Sequence, residues 1–163
     1  MAIVYVTEYK SPIGKLVLES DGRALLRLRL PGEKEPVATA VGPDDQVVRD
    51  RQPFAAVITQ LDEYFAGTRK KFDVPLAPRG TPFQLKVWQQ LRKIPYGRTI
   101  TYATLAHRAG NDSACRAVGA ANGRNPLPII VPCHRVIGSD GSLTGFGGGV
   151  EAKQRLLTLE GAL

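Results

Sequence analysis

The alternation of apolar and polar positions at the start of the chain predicts a three-stranded antiparallel meander. Three apolar or alternating runs, each of strand length, cover residues 2–9, 15–20 and 24–30. Short turn sequences separate these runs, Ser-Pro-Ile-Gly at 11–14 and Asp-Gly at 21–22. The chain is therefore predicted to begin with a small sheet.

Residues 31–52 interrupt this pattern because they are polar and rich in Pro, Gly and Asp, and we expect a loop with room for a short irregular element. Apolar residues then recur at helical spacing, with Pro53 suited to the first helical turn and Gly67 to the helix end. The apolar positions of this helix are Phe54, Val57, Ile58, Leu61, Tyr64 and Phe65. The first half of the chain is thus predicted to be a sheet that carries one helix.

The segment 73–82 contains three prolines and one glycine, which is typical of a linker between domains. The charge balance changes at the same place. Residues 1–78 contain 11 Lys or Arg and 11 Asp or Glu, whereas residues 79–163 contain 11 basic residues and only 4 acidic ones. We therefore expect two domains, residues 1–78 and 79–163, with the whole net charge of +7 in the second.

The second domain is predicted to be mainly helical. Apolar residues at helical spacing predict one helix over 83–94. Another helix over 102–109 has Thr101 as its N-cap and ends at Gly110. A third helix reaches about 122–123, and its possible N-caps are Asn111, Asp112 and Ser113.

The last two of these helices, joined by a three- or four-residue turn that contains glycine, match a helix-turn-helix unit whose second helix presents Arg116. Helix pairs with short turns are also common in proteins that never contact DNA. The positive charge of the same domain is what a module that meets a phosphate backbone carries, although a solvated basic surface without a partner fits the charge equally well. Motif and charge together indicate DNA binding.

The apolar run 129–131 lies between Pro128 and Pro132 and predicts a short strand, because proline cannot donate within a central ladder. Cys133 is then expected at the end of this strand, where the chain must turn.

Six glycines within residues 138–149 predict a mobile hairpin or wing. The last helix is expected over 150–160, with Leu156 and Leu157 buried and Gly161 at its end.

Composition narrows the class of protein. A chain of 163 residues with 43% hydrophobic and 23% charged residues is typical of a folded globular protein. No apolar segment approaches the ~20 residues of a membrane-spanning helix, and no basic stretch precedes an apolar run at the start, so we expect a cytoplasmic protein. The two cysteines and two histidines have no metal-ligand spacing, and we expect no structural zinc.

Cys133, His134 and Arg135 follow one another and are the leading candidates for chemistry. The thiolate is the reactive form of cysteine, and a neighbouring imidazole, a cation and a strand-end turn would each favour it. On spacing alone, a small buried core cysteine is favoured by about two to one. His134 could equally be a core histidine with its hydrogen bonds satisfied, and Arg135 could be a surface charge. Neighbours in an extended strand point to opposite faces, so the turn must bring Cys133 and His134 together.

The run from Ile129 to Gly138, which reads IIVPCHRVIG, resembles the active-site signature of the O6-alkylguanine-DNA alkyltransferases, also called methylated-DNA–protein-cysteine methyltransferases. Further matches surround it in the order of that family. They are Pro95-Tyr96-Gly97, Thr101-Tyr102, Arg116-Ala117-Val118-Gly119, Asn125-Pro126 and Leu159-Glu160-Gly161. The likeness is strong over residues 79–161 and holds only in outline for the first half.

The resemblance implies an α/β (α+β) fold, with a ribonuclease-H-like small sheet and helix over 1–78 and a winged helix-turn-helix domain over 79–163 that binds DNA and carries the site. It implies DNA repair by irreversible, single-turnover transfer of an alkyl group from O6-alkylguanine, and from O4-alkylthymine, to Cys133. The partner would be double-stranded DNA, and the protein a monomer. No cofactor is implied, and the zinc ligands of some relatives are missing here.

The resemblance also implies roles for single residues. Cys133 resembles the acceptor nucleophile and His134 the base that takes its proton through a bound water. Glu160 resembles the carboxylate that orients His134, although by itself it would be a surface charge at a helix end. Asn125 resembles the hinge asparagine between the recognition helix and the active-site turn, although an Asn before Pro is also an ordinary turn residue.

Two further residues resemble those that handle DNA. Arg116 resembles the arginine that enters the base stack from the minor groove in place of the flipped nucleotide, and its plain alternative is an exposed helix charge. Tyr102 resembles the tyrosine that presses on the phosphate beside the target and protonates the leaving purine, whereas a helical tyrosine is more often core. Ser139 is expected at the DNA. A base inside a duplex hides its O6 atom, so this chemistry requires base flipping.

The residues implied around the substrate pocket are Tyr102, Pro128, Val136, Phe146 and Gly147. Some relatives have polar or tyrosine residues where this chain has Phe146 and Gly147, and the glycine suggests room for bulky groups such as benzyl. Cys115 matches no catalytic position of the family and is expected to pack in the interior.

Three other function classes stay open. A non-catalytic protein that binds alkyl lesions would lack the acceptor cysteine, and Cys133 is present. A Cys-His hydrolase would turn over many times, and a helix-turn-helix regulator would keep its function after Cys133→Ala.

Overall fold

The computed structural model describes residues 2–33 and 42–163. The chain forms two compact units, Met1–Arg79 and Gly80–Leu163. The first unit contains a sheet and one helix, and the second is mainly helical. The expected mixed α/β fold is confirmed.

The first unit is built on a four-stranded sheet with the order β3-β2-β1-β4. The strands are β1 (Ile3–Ser11), β2 (Gly14–Ser20), β3 (Leu25–Arg29) and β4 (Gln46–Arg49). The pairs β1–β2 and β2–β3 are antiparallel, which confirms the predicted meander. Strand β4 pairs with β1 in parallel, with Ile3 opposite Gln46.

Strand β4 corrects the expectation of a loop over 31–52. Residues 46–49 extend the outer edge of β1, and three of these four residues are exposed. An exposed edge strand needs no apolar alternation, so the sequence pattern does not reveal it. The remainder of that expectation falls partly on residues 34–41, outside the described residues.

The predicted helix of this unit is confirmed as α1 (Ala55–Phe65), preceded by a 3₁₀ turn at Gln52–Phe54. Gly67 follows the helix with a φ of 79°, a conformation that glycine adopts without a steric cost. Tyr9 of β1 donates to the Asp62 carboxylate at 2.6 Å, so a hydrogen bond as well as apolar packing fixes the helix on the sheet.

The first part of the proline-rich segment is bound to this unit. Leu25 N–H donates to Pro75 O, and Ala77 N–H donates to Leu25 O, both at 2.9 Å. The Gln60 side chain also binds both backbone groups of Asp73. The boundary between the two compact units therefore falls after these contacts, at Arg79 and Gly80.

The second unit contains four helices and a two-stranded parallel sheet. The helices are α2 (Pro82–Leu91), α3 (Tyr102–Arg108), α4 (Cys115–Gly123) and α5 (Val150–Leu159). The strands are β5 (Ile100–Thr101) and β6 (Val136–Ile137). A capping box between Thr81 and Gln84 starts α2, and Trp88 donates through Nε1 to Ala121 O at 2.8 Å, which joins α2 to α4.

Helices α3 and α4 form the predicted helix pair, with Thr101 as the N-cap of α3. The turn between them covers 109–114 and is longer than expected. The expected polar N-cap of α4 is wrong, because Ala114 occupies that position without a side-chain hydrogen bond. Asn111 instead accepts from both the N–H and the hydroxyl of Ser113, so its side chain stabilises the turn.

The C-terminal part follows the prediction more closely. Leu156 and Leu157 of α5 are fully buried, and Gly161 follows the helix with a φ of 77°. In place of the expected hairpin, residues 138–149 contain no strand and begin with a turn in which Gly138 N–H donates to Ser142 O at 2.9 Å. Among the helices of residues 2–33 and 42–163, none combines the length and the apolar character needed to cross a membrane.

Candidate active site

The segment before Cys133 is a compact turn, and the strand predicted over 129–131 is not present. Asn125 holds the turn from within, because its Nδ2 donates to Val131 O at 2.7 Å and its Oδ1 accepts from Leu127 N–H at 3.0 Å. Ile129 has a φ of 75°, which is rare for a β-branched residue and incompatible with an extended strand. Apolar character here reflects burial in a turn, and the flanking prolines do not mark strand ends.

Cys133 begins a 3₁₀ helix, Cys133–Arg135, and so does not lie at a strand end as expected. Its N–H donates to Val131 O at 2.8 Å. Successive residues of a 3₁₀ helix are rotated by roughly 120°, so Cys133, His134 and Arg135 point in three different directions. Cys133 is 6% exposed, and His134 is fully buried.

His134, Arg135 and Glu160 form a buried network around one carboxylate. His134 Nε2 lies 2.7 Å from Glu160 Oε2. Arg135 donates through Nε to Oε1 at 2.8 Å and through Nη2 to Oε2 at 3.0 Å. Glu160 sits at the end of α5 and is only 5% exposed, so it is not the surface charge that its sequence position alone would indicate.

The network fixes the protonation state of its members. Burial tends to raise the pKa of Glu160, but hydrogen bonds from His134 and Arg135 and the positive charge beside it outweigh burial and lower that pKa to about 2. Burial also lowers the pKa of His134 from its ordinary 6.5, and this outweighs the opposing effect of Glu160. Glu160 is therefore ionised and His134 neutral near pH 7.

These charges select one tautomer of His134. An ionised carboxylate can only accept hydrogen bonds, so Nε2 carries the proton that it donates to Glu160. Nδ1 is then the basic nitrogen. It is buried and makes no hydrogen bond with any residue in the described ranges. The imidazole is thus held as an oriented, neutral base directly after a cysteine.

Tyr102 is the first residue of α3. Its hydroxyl donates to Thr144 O at 3.1 Å, which links α3 to the glycine-rich segment. Burial, followed by the negative charge of Cys133, raises the pKa of Tyr102, while a hydrogen bond with Asn122 lowers it. The balance keeps Tyr102 protonated at neutral pH, as a proton donor has to be.

A glycine allows the tyrosine to approach this segment. Gly145 has a φ of 77°, and a Cβ added to it would lie 2.8 Å from the Tyr102 hydroxyl oxygen. A side chain at this position would strain the backbone and displace the Tyr102 hydroxyl.

The other expected site residues fall into two groups. Arg116, in the first turn of α4, and Ser139 are exposed and lie outside the buried network. Pro128 and Val136 are buried, Phe146 is half-buried, and Gly147 is exposed. The Phe146 ring lies 6.5 Å from the His134 ring at an interplanar angle of 82°, so the glycine-rich segment reaches the buried base.

Two residues of the site, Asn122 and Lys153, were not singled out by the sequence, and a third, Arg135, was expected at the surface. Arg135 is buried and not a surface charge, and it also donates to Ile94 O at 2.7 Å. Asn122 is buried in α4, and its Nδ2 lies 3.5 Å from Cys133 O. Lys153 is fully buried in α5. Asn122 and Lys153 do leave a sequence signal, because each is a polar residue at helical spacing on an otherwise apolar helix face.

Cys115 contradicts its prediction. It is exposed in the first turn of α4 and does not pack in the interior. No cluster of three or more His, Cys, Asp or Glu side chains suited to a metal ion occurs in the described parts of the chain.

Comparison with known proteins gives two family matches that together cover most of the chain. Residues 82–162 match the DNA-binding domain of 6-O-methylguanine DNA methyltransferase, and residues 4–78 match the ribonuclease-like domain of the same proteins. The chain is 46% identical over 159 residues to a methylated-DNA–protein-cysteine methyltransferase of Methanosarcina acetivorans, covering 98% of this chain and 99% of that one. It is also 46% identical to the protein of that name in Mycobacterium bovis, over 97% of this chain and 93% of the relative.

Solved structures agree with these matches. The O6-methylguanine methyltransferase of Mycobacterium tuberculosis superimposes with a TM-score of 0.87 at 47% identity, covering 98% of this chain and 93% of that chain. The OGT of the same organism in complex with DNA gives a TM-score of 0.87 at 46% identity, over 96% and 92% of the two chains.

Proposed function

The chain belongs to the 6-O-methylguanine DNA methyltransferase family, and on this premise we propose that Cys133 is the residue that accepts the alkyl group. The protein is a methylated-DNA–protein-cysteine methyltransferase that repairs DNA by alkyl transfer. One observation carries the assignment to Cys133: the residue directly after it is a buried, neutral imidazole whose Nε2 is held by the ionised Glu160.

The proposed reaction begins with removal of the Cys133 proton. His134 Nδ1 is proposed to take this proton through a bound water, because Nε2 is occupied by its hydrogen bond to Glu160. Glu160 stabilises the imidazolium that forms, and Arg135 holds the carboxylate in place. The carboxylate itself does not need to take the proton.

The thiolate then attacks the alkyl carbon on O6 of the guanine. A sulfur–carbon bond forms as the carbon–oxygen bond breaks, and the electron pair of the broken bond leaves with the guanine. Tyr102 donates a proton to the leaving purine and regains one from His134 through the site. The net change is one thiol and one O6-alkylguanine converted to one thioether and one guanine.

The product explains why each molecule would act once. A thioether is not hydrolysed under mild conditions, and the mechanism includes no step that restores the thiol. The protein is therefore a stoichiometric reagent, and its capacity equals the number of molecules with a free Cys133.

DNA access is proposed to run through α3 and α4. Arg116 is exposed in the first turn of the second helix of the pair, so its side chain is accessible to a bound duplex, and it would enter the base stack from the minor groove. Tyr102 would contact the phosphate beside the flipped nucleotide, and Ser139 would meet the DNA next to it. A few kcal/mol of unstacking is offset by these contacts.

The substrate range is proposed to include O4-alkylthymine, as the family resemblance implies. It is also proposed to include bulky O6 adducts, since Gly147 at the exposed turn presents no side chain. Pro128, Val136 and Phe146 would line the pocket with Tyr102. We further propose that the protein acts as a monomer in the cytoplasm.

The proposed function is tested by intact mass after incubation with a duplex that contains O6-methylguanine. We expect a gain of one methylene group per molecule, located on Cys133 by peptide mapping and saturating at one equivalent. Cys133→Ser should show no gain, and Cys115→Ser, which removes the other cysteine, should behave as the native protein. Repair by Cys133→Ser, or several equivalents repaired per molecule, would contradict the proposal and favour a hydrolytic enzyme.

A further inference from the structure

Lys153 is a fully buried lysine in the second unit. It lies on the same face of α5 as Leu156 and Leu157, where an apolar residue is expected. Removing an ammonium group from water is costly unless charged or polar partners compensate. The position therefore requires a specific arrangement around the Nζ atom.

The hydrogen-bond partners of Lys153 are two backbone carbonyls. Its Nζ donates to Val136 O in β6 and to Thr144 O at 2.8 Å. Val136 directly follows the 3₁₀ helix that starts at Cys133, and Thr144 lies in the glycine-rich segment. The lysine thus joins the two segments that flank the reactive cysteine.

Neither partner neutralises the charge of the lysine. Within the described ranges, Lys153 forms no ion pair with a carboxylate, and Glu160, the buried carboxylate of this site, is bound by Arg135 and His134. Burial lowers the pKa of Lys153, and the electrostatic interaction with Cys133 opposes this shift. The hydrogen bond from Nζ to the carbonyl of Val136, three residues after Cys133, places the ammonium beside the Cys133 segment.

The carbonyl of Thr144 has a second donor. Tyr102 donates its hydroxyl to the same oxygen at 3.1 Å. The carbonyl oxygen of Thr144 thus holds the Lys153 ammonium and the Tyr102 hydroxyl close together. Both groups also interact electrostatically with Cys133. A change at Lys153 is transmitted to the proposed proton donor as well as to the thiol.

From this geometry we propose that Lys153 is a positioning residue for the alkyl transfer, whose ammonium stabilises the thiolate of Cys133 while its two hydrogen bonds hold β6 and the Thr144 segment at the site. The inference deepens the proposed function and rests on Cys133 as the acceptor. Burial alone disfavours a thiolate, so a compensating cation is needed. The imidazole of His134 is neutral and cannot serve before the proton moves.

The other charged and titratable groups at the site act differently. Arg135 is paired with Glu160 and faces Ile94 O, Tyr102 is uncharged at neutral pH, and the positive charge of Lys153 lowers the pKa of His134 in the same direction as burial. Lys153 thus favours a thiolate beside a neutral imidazole.

The test is a titration of the Cys133 thiolate by its ultraviolet absorbance, with no DNA present. All proteins carry Cys115→Ser, so Cys133 is the only cysteine, and the spectrum of a Cys133→Ser protein is subtracted. For the native Lys153 we expect half-ionisation clearly below the ordinary thiol value of ~8.5. Lys153→Gln, which keeps a donor but removes the charge, should raise the half-ionisation pH by about one unit, a tenfold decrease in the ionisation constant of the thiol.

Two further variants separate charge from packing. Lys153→Arg keeps the charge and should titrate close to the native protein, and Arg155→Gln, an exposed charge loss on the same helix, should not change the titration. The rate of alkyl transfer by Lys153→Gln should also recover as the pH rises, which a lysine with a purely structural role would not produce.

The proposal is overturned if native Cys133 ionises at or above ~8.5, or if folded Lys153→Gln titrates like the native protein. If circular dichroism shows that Lys153→Gln is unfolded, the native and Lys153→Arg titrations still decide. Failure of the proposed function appears separately, as no mass gain on Cys133 with methylated DNA.

Discussion

Arg135 and Glu160 form a two-pronged ion pair in the interior of the second unit, with Arg135 Nε 2.8 Å from Oε1 and Nη2 3.0 Å from Oε2. The same carboxylate accepts from His134. Arg135 therefore keeps Glu160 ionised and oriented, and Glu160 in turn fixes the imidazole that faces the proposed chemistry. A residue that contacts no substrate in the proposed reaction thus determines the tautomer of the base.

Replacing Arg135 by methionine should destabilise the protein strongly. The change fills similar space but removes the permanently charged partner of a buried carboxylate, so we expect the free energy of unfolding to fall by about 3–5 kcal/mol. Urea unfolding measures this value. Arg155→Met, which removes an exposed charge from α5, should cost under ~1 kcal/mol. Equal losses in the two variants would show that the buried ion pair has no special weight.

The pH dependence should reflect the lowered pKa of His134. Because burial lowers this pKa from 6.5, the imidazole remains a neutral base on acidification past that value, and the rate of alkyl transfer should hold from about pH 8 to 6.5 and fall only below it. A rate already halved above pH 6.5 would contradict a neutral, buried base.

The free energy of unfolding should also depend on pH through His134. Below pH 6.5 the His134 imidazole is protonated in the unfolded chain but stays neutral in the folded protein, because burial lowers its pKa. The free energy of unfolding therefore decreases on acidification, by at most ~1.4 kcal/mol per pH unit. The decrease ends once the pH falls below the pKa of His134 in the folded protein. Urea unfolding between about pH 5 and 8 should show this slope in the native protein and a smaller one in His134→Gln. Identical slopes would indicate that other groups cause the change.

Asn125→Ala tests the turn below Cys133. It removes the hydrogen bonds to Val131 O and Leu127 N–H. Val131 O keeps the bond from Cys133 N–H, whereas Leu127 N–H loses its acceptor, so we expect a loss of about 1–3 kcal/mol in stability and a slower alkyl transfer. The matched control is Asn111→Ala, since Asn111 makes a similar bond to the residue two positions on but is exposed. Its cost should stay near ~0.5 kcal/mol. Normal transfer by a destabilised Asn125→Ala protein would show that the turn does not position the thiol.

The sequence predicted those helices and strands that are defined by local signals, namely the spacing of apolar residues and the capping residues. The meander, α1 and α3 follow from apolar spacing and from residues such as Thr101, whose side chain caps α3. Strand β4 was missed because an exposed edge strand carries no apolar alternation. The apparent strand over 129–131 failed because burial in a turn produces the same apolar run as burial in a sheet.

The site was predictable only as far as the family resemblance reaches. Composition and spacing do not distinguish a buried reactive Cys133 from a core cysteine. Arg135 binds the carboxylate of Glu160, 25 residues away in the sequence, and Lys153 binds the carbonyl of Val136, 17 residues away. The pattern of apolar and polar positions along the chain does not predict such contacts. Only the misfit of a lysine among the apolar positions of α5 signals such a contact in advance.

Gly147→Ser tests the proposed tolerance of bulky adducts. Gly147 is exposed and has no positive φ, so a serine can be accommodated without backbone strain. We expect labelling by O6-benzylguanine to slow by several-fold, while repair of an O6-methylguanine duplex changes little. Rates are compared by gel fluorescence or mass. Equal labelling of the variant and the native protein would remove the link between this glycine and pocket size.

Gly145→Ala tests whether the approach of Tyr102 to its segment matters for transfer. The added Cβ would lie 2.8 Å from the Tyr102 hydroxyl, and its displacement would break the bond to Thr144 O. The φ of 77° adds a strain of about 1 kcal/mol.

Gly141→Ala separates these two effects, because Gly141 has a φ of 84° in the same segment, but a Cβ added there would have no other atom within 4 Å. Both variants should lose similar stability from backbone strain, whereas only Gly145→Ala should slow alkyl transfer, by about tenfold or more, as loss of a positioned proton donor does. If the two variants transfer alkyl groups at the same rate, the Tyr102 hydroxyl is not held for catalysis by this contact, and its proposed role as proton donor loses its structural support.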